Sequence, residues 1–147
     1  MNENFTKAGE ANSCLLVRLL LAAAAVESQL EAAVATTGLS LSKFAVLDQL
    51  VKAGEPLPLT RLAERLSCVK SNITQLIDRL EADGLVERVD DPKDRRSVLA
   101  AMTREGRRRY EIGGQALTAA EKEILKAFKE GELELLGRLL DKFINDG

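Results

Sequence analysis

The 147-residue sequence predicts a mainly helical chain that carries one small β-hairpin. Three observations lead there. Leucine and alanine dominate an apolar fraction of 46%, while aromatic residues make up only 3%, a composition suited to helix packing. Apolar residues recur at i, i+3, i+4 and i+7 in several stretches, the spacing of one buried helix face. Between two of those stretches, 85–89 and 96–102 read as two strands around the polar turn Asp90-Asp91-Pro92-Lys93-Asp94.

The elements follow in order. Residues 1–12 are polar and expected to fray. A long helix is expected over 13–35. Leu16, Leu19, Leu20, Ala23, Leu30 and Val34 keep helical spacing, and Leu15, Ala22 and Val26 widen the apolar surface beyond one stripe. Such a helix wants two partners, of which one can be a second chain. Thr36-Thr37-Gly38 ends it. Ser40 or Ser42 can cap the next helix, which runs to about Lys52 with Phe44, Val46, Leu47, Leu50 and Val51 on its core side. Gly54 and Pro56 break it, and Pro58 opens a short helix whose Leu59, Leu62, Ala63 and Leu66 point inward. After the turn Ser67-Cys68-Val69, Ile73, Leu76, Ile77 and Leu80 form a tight apolar stripe. The N-cap of that helix falls near Val69, which cannot cap with a side-chain oxygen; Ser71 is the alternative. Gly84 supplies a C′ glycine. Thr103 can cap a long helix to about Phe128, with Glu105 near its positive end and Gly113-Gly114 expected to kink it. A break at Glu130-Gly131 precedes a last helix, where Leu133, Leu136, Leu140 and Phe143 give one seam beside Leu135, Leu139 and Ile144.

Net charge is −2, so the whole chain is not a basic nucleic-acid binder. The charge is unevenly placed, however. From Leu57 to Tyr110 there are 12 Lys and Arg against 9 Asp and Glu, a net of +3, and the remainder carries −5. A basic middle allows local phosphate contact with low non-specific affinity. There is no histidine, which excludes Ser-His and Cys-His catalysis and a histidine-ligated zinc site; no phosphate-cradling glycine motif occurs either. The chain reads as a non-enzyme without cofactor or metal. Asp90, Asp91 and Asp94 lack the glycine and closing glutamate of a calcium loop and are turn chemistry. Leu15–Val26 is apolar but interrupted by Arg18 and too short to span a bilayer, so no membrane role and a cytoplasmic location are expected. Two distant cysteines make no disulfide framework.

The solvent side of the helix after Val69 is informative. Lys70, Ser71, Asn72, Thr74, Gln75 and Arg79 are short-armed and rich in donors and acceptors, where a merely soluble face would carry Glu and Lys. Such a set suits base edges in a major groove. Asn72 and Gln75 are the best base readers, since a side-chain amide can pair with adenine in bidentate fashion. Thr74 can meet a thymine methyl or a phosphate, and Lys70 and Arg79 suit phosphate. Lys93, Arg95 and Arg96 stand on the hairpin beside that helix.

At these residues the chain resembles the MarR family of winged helix-turn-helix regulators. The motifs that carry the resemblance are LAERL, KSNITQLIDRLEADGLVER, DPKDRRSV and MTREG, and it extends over roughly the whole chain. It implies a winged helix-turn-helix lobe over 40–103, flanked by dimerisation helices over 13–35 and 104–147, and a short strand between Gly54 and Leu59. It also implies a homodimer whose two lobes read two half-sites of double-stranded DNA. A wing arginine would enter the minor groove, held by the acidic residue two positions earlier; the matching pair is Asp94 and Arg96, with Arg95 the second candidate. Relatives commonly respond to small molecules bound between the dimer helices and the lobe, and the sequence assigns no such site. Repression is the commoner mode in the family.

Two other readings are expected to leave different traces. Cys14, placed at the start of the first helix where the dipole would activate a thiol, and Cys68, just before the recognition helix, are candidates for redox sensing; a small buried hydrophobe is the plainer role. A protein-interaction winged helix would have no use for Arg95 and Arg96.

Overall fold

The computed structural model describes residues 3–66 and 72–145, with side chains from Cys14 onward. Six helices and a three-stranded antiparallel sheet are described: α1 (Glu3–Ala35), α2 (Leu41–Ala53), β1 (Leu57–Pro58), α3 (Leu59–Arg65), α4 (Ile73–Ala82), β2 (Val86–Asp91), β3 (Asp94–Met102), α5 (Arg104–Leu125) and α6 (Glu130–Asn145). The chain is mainly helical with a small β-wing, as expected.

One core holds the middle of the chain. Val34 from α1, Val46, Leu47 and Leu50 from α2, Leu62 from α3, Leu76, Ile77 and Leu80 from α4, and Leu85, Val86 and Ala100 from the sheet and its approach are all buried. The strand order is β1-β3-β2. Ala100 pairs with Leu57 on one side and Arg88 on the other, so the root of the wing is tied into the core from both edges. No helix among the described residues is long and apolar enough to cross a membrane.

The element boundaries correct several expectations. α1 begins at Glu3 rather than at residue 13: Glu3, Lys7, Ala8, Glu10 and Ala11 are good helix formers that carry the helix ahead of its apolar stretch. Ser40, not Ser42, caps α2: the Lys43 N–H donates to Ser40 Oγ at 3.2 Å. Ala63 is exposed, since on the seven-residue α3 the neighbouring Leu62 takes the inward direction. The wing strands are longer than expected and leave only Pro92 and Lys93 at the tip. α5 stops at Leu125, and α6 begins at Glu130, so the break lies before Glu130-Gly131 instead of on it. Glu130 and Glu132 then sit in the first turn of α6, where the helix dipole favours them, and Glu132 Oε2 accepts the Lys129 N–H at 2.8 Å.

α5 runs through Gly113-Gly114 as one helix. A side chain at Gly113 would stand 3.0 Å from Leu39 Cδ1 and 3.1 Å from the Phe44 ring, so the missing Cβ lets α5 lie directly on α2. The Phe44 ring stacks there on Tyr110, with centroids 5.1 Å apart, and the Tyr110 hydroxyl donates to Asp48 Oδ1 at 3.0 Å. Burial first, then the bond to Asp48, holds the Tyr110 hydroxyl above its ordinary pKa.

The MTREG motif closes the other end of this joint. Thr103 caps α5 as expected, its Oγ1 accepting the Gly106 N–H at 3.0 Å and donating to the Gly84 carbonyl at 2.7 Å. A Cβ on Gly106 would lie 2.0 Å from the Leu85 carbonyl oxygen, a backbone atom that cannot swing aside. Gly106→Ala is therefore expected to destabilise the protein by about 2 kcal/mol or more despite alanine's better helix propensity. A thermal melt that leaves Tm unchanged would show that the contact relaxes freely.

Glu105 has a second function beyond the dipole. Hydrogen bonds from Arg108 (2.7 and 2.9 Å) and from Arg109 (3.1 Å) converge on its carboxylate. The bond from Arg108 is the leading cause that lowers its pKa from 4.5 to about 2. Arg109 in turn donates to the Thr37 carbonyl at 3.0 Å, tying α5 to the turn after α1. A lowered carboxylate stabilises the folded state above its unfolded pKa and loses that contribution as pH falls through the folded one. Melting of wild type against Glu105→Gln should therefore show a wild-type advantage that is full near pH 6 and shrinks between pH 4.5 and about 2. An advantage independent of pH would exclude this ion pair as its source.

Candidate nucleic-acid interface

α4 has three sides. The stripe of Ile73, Leu76, Ile77 and Leu80 faces the core, with the last three buried, as the periodicity predicts. Asn72, Gln75 and Arg79, at i, i+3 and i+7, share a second, exposed side. Thr74, Asp78 and Glu81, at i, i+4 and i+7, share the third. Thr74 is thus separated from the other candidate readers, although it too is exposed. Lys70, Ser71 and Cys68 lie outside the described residues.

The cap of α4 is Asn72, neither Val69 nor Ser71. The Thr74 N–H donates to Asn72 Oδ1 at 2.9 Å, and Asn72 has the extended backbone of an N-cap. This alters its chemistry as a reader. A bidentate pair with adenine uses both the amide oxygen and the NH2, and the oxygen here already serves the helix. Gln75 and Arg79 have no side-chain hydrogen bond or ion pair among the described residues. The C-terminal end closes in a Schellman motif, with Gly84 at φ 73°, its N–H on Glu81 O and the Leu85 N–H on Leu80 O, both at 2.9 Å.

The wing presents Lys93, Asp94, Arg95 and Arg96 to solvent. Two Asx turns shape its tip: Asp91 Oδ1 accepts the Lys93 N–H at 2.9 Å, and Asp94 Oδ1 accepts the Arg96 N–H at 3.0 Å. Asp94 thus holds the Arg96 backbone rather than its guanidinium, and no ion pair joins the two side chains. Arg95 and Arg96 are neighbours on an extended strand and point to opposite faces.

Two basic residues brace α4 through ion pairs that the sequence does not announce. Lys43 of α2 meets Asp83 at 2.6 Å. Arg88 of β2 reaches Asp78 at 2.5 Å and Glu81 at 3.2 Å, and its backbone N–H donates to Glu81 Oε2 at 3.0 Å. The bond to Asp78 is the main cause that raises the Arg88 pKa further. The i, i+3 spacing of Asp78 and Glu81 is visible in the sequence; the cation that faces them is there only one arginine among many. Between α2 and α4, Ser40, Ser42, Lys43, Asn72, Gln75 and Arg79 border a polar groove of about 410 Å³.

A second, apolar cavity of about 400 Å³ lies among α1, α2 and α5, lined by Val26, Leu30, Leu41, Leu117, Ile124, Leu125 and the charged Glu121. Beyond it, large apolar side chains of α1 and α6 are exposed, among them Leu20 (70%), Leu21 (65%), Leu139 (46%) and Ile144 (73%). Cys14 is exposed too. It sits about three turns inside α1, beyond the reach of the helix dipole, so the expected activation by a helix start does not apply to it.

The MarR family model matches residues 39–98, from just before α2 into the wing strand β3. The transcriptional activatory protein BadR of Rhodopseudomonas palustris (strain ATCC BAA-98 / CGA009) is 36% identical over 124 residues, which cover 78% of this chain and 71% of BadR. The chain belongs to the MarR family. MarR-family proteins are DNA-binding transcriptional regulators and not enzymes. The HTH-type transcriptional regulator YkoM of Bacillus subtilis (strain 168) is 44% identical over 69 residues, a match that spans 47% of this chain and 44% of YkoM, less than half of either. Among solved structures, a MarR-like transcription regulator from Bacillus cereus ATCC 10987 superposes with a TM-score of 0.84 at 26% identity, over 93% of this chain and 98% of that one. A mutant MarR from E. coli complexed with operator DNA gives 0.76 at 26% identity, over 87% and 92%. CouR from Rhodococcus jostii RHA1, bound to p-coumaroyl-CoA, gives 0.69 at 29% identity, over 88% of each chain.

The cap made by Asn72 can be separated from its expected part in DNA binding. Asn72→Asp keeps an N-cap of equal quality but loses the amide donor and adds a charge that phosphates repel. Its stability should match wild type within a few tenths of a kcal/mol while DNA affinity falls; Asn72→Ala should lose about 1 kcal/mol of stability as well. If the aspartate variant binds DNA normally, Asn72 is a cap alone.

Proposed function

We propose that this MarR-family chain is a sequence-specific DNA-binding transcriptional regulator that acts as a homodimer in the cytoplasm on a pseudo-palindromic duplex. The observation that carries the proposal is the exposed side of α4 with Asn72, Gln75 and Arg79, set beside a wing tip bearing Lys93, Arg95 and Arg96. Both occur in a fold similar to that of a MarR variant complexed with operator DNA. Gln75 is the strongest base reader, because both ends of its amide are uncommitted; Asn72 offers its NH2. Lys70, Ser71, Thr74 and Arg79 contact phosphates or base edges at the groove margin. Arg96, or Arg95 from the other strand face, enters the minor groove, where a narrow A·T-rich stretch concentrates negative potential.

Residues 40–103 form the DNA-binding lobe, and 13–35 with 104–147 form the dimer. The exposed apolar faces of α1 and α6 support that division, since side chains such as Leu20 and Ile144 have no cover within one chain. Two lobes placed about 34–36 Å apart would meet successive major grooves. A small molecule in the apolar cavity among α1, α2 and α5 would sit between dimer helices and lobe. If it binds better where the two recognition helices are misplaced, it releases DNA. Repression is the proposed direction; the activatory name of BadR makes the position of the operator relative to the promoter the deciding fact.

Selection from a random duplex pool with purified protein at moderate salt tests the proposal. An inverted repeat with A·T-rich flanks is expected; recovery of no sequence above background, with reduced and refolded protein as well, would overturn it. On the selected duplex, replacing Arg95 and Arg96 with Ala should weaken binding. It should also reduce the slope of log K against log salt by about 0.9 for each phosphate that is no longer neutralised. A slope equal to wild type would place the wing off the DNA.

A further inference from the structure

We propose that Arg88 is a positioning residue for sequence reading. Its guanidinium locks the recognition helix α4 to the wing strand β2 at one angle, so that Gln75 and the wing arginines engage the same duplex together. The inference rests on the DNA-binding reading above.

Three contacts run from this single residue to one side of one helix: Nη2 to Asp78 at 2.5 Å, Nη1 to Glu81 at 3.2 Å, and the backbone N–H to Glu81 Oε2 at 3.0 Å. A guanidinium is planar and forked, so holding two carboxylates one turn apart fixes rotation as well as distance. The strand end of the clamp is tied into the core. Arg88 pairs with Ala100, which is fully buried and pairs on its other edge with Leu57. What the fork holds is therefore α4.

Stability alone is a poor reason for this cluster. The three side chains are all partly exposed, from 28% for Arg88 to 58% for Asp78, and partly exposed ion pairs contribute little to folding. Direct contact with DNA is a poor reason too. The Arg88 charge is already matched by two carboxylates, so the cluster as a whole carries excess negative charge and has nothing to offer a phosphate. The contacts instead leave the side of Asn72, Gln75 and Arg79 untouched and fix its tilt relative to Lys93, Arg95 and Arg96. Base hydrogen bonds depend steeply on distance and angle, whereas the phosphate attraction of a mobile lysine or arginine does not. Without the clamp, specificity should fall before charge-driven affinity does.

The test uses the full chain as Arg88→Ala, Arg88→Lys and Asp78→Asn. Each is titrated against the duplex recovered by selection and against a random duplex over a series of salt concentrations, with Tm recorded alongside. Arg88→Ala is expected to bind the selected duplex about tenfold or more weakly, the worth of one misplaced bidentate base contact. Its affinity for the random duplex and its salt slope should stay at the wild-type values. Arg88→Lys keeps the charge but not the fork and should recover little; Asp78→Asn, which leaves the Glu81 arm in place, should fall between. A slope lowered by about 0.9 in Arg88→Ala would make Arg88 a phosphate contact and overturn the proposal. So would an equal weakening on both duplexes that tracks a lower Tm, which is a folding defect, and so would an unchanged ratio between the two duplexes. An unchanged ratio in the variant with a clear preference in wild type sinks the clamp alone. No preference in wild type sinks the DNA-reading proposal and this one with it.

Discussion

The burial of one side of α4 is the constraint on which the rest of the structure depends. A ten-residue helix is not stable by itself in water. α4 persists because Leu76, Ile77 and Leu80 are closed off by α2, α3 and the sheet, and because both its ends are finished: Asn72 caps one, and the Gly84 turn closes the other. The polar sides of the helix are therefore placed by the apolar one. Asn72 shows the consequence. The helix takes its Oδ1 as a cap, and on the proposed reading its NH2 remains as a donor toward a base.

The same helix is braced from two directions by ion pairs with different consequences. Lys43 reaches Asp83 from α2, which binds the C-terminal end of α4 to the body of the lobe. Arg88 reaches Asp78 and Glu81 from the wing. None of these pairs is buried, so they add little to folding, which rests on the apolar packing; on the proposed reading the Arg88 pairs set how α4 lies against the wing.

Much of this is legible in the sequence, for local reasons. The stripe of α4, the Thr103 cap, the Gly84 turn and the hairpin each announce themselves over short stretches, because periodicity, capping and turn chemistry are short-range effects. What the sequence hides depends on residues far apart along the chain. Gly113 looks like a flaw in α5 until Leu39 and Phe44 are brought against it, and Gly106 looks idle until the Leu85 carbonyl arrives. Arg88 is one of many basic residues until Asp78 and Glu81 turn toward it. Asn72 shows itself as a reader through its side-chain chemistry. Its use as the cap stays hidden, because Ser71 beside it is an equally good capping residue and nothing local separates the two.

α5 is the element through which the two proposed jobs of the chain would meet. Its first half is fastened to the turn after α1, to α2 and to the turn after α4 by specific contacts: Arg109 to Thr37, Tyr110 to Asp48, Thr103 to Gly84, and the close approach at Gly113. Its second half, with Leu117, Ile124 and Leu125, forms one wall of the apolar cavity against α1. On the proposed reading, a ligand that displaces the second half of α5 acts on a helix whose first half is already held to the lobe. On the proposed reading, a ligand's preference between two dimer arrangements is then transmitted by a rigid lever, and no chain of small side-chain adjustments is required.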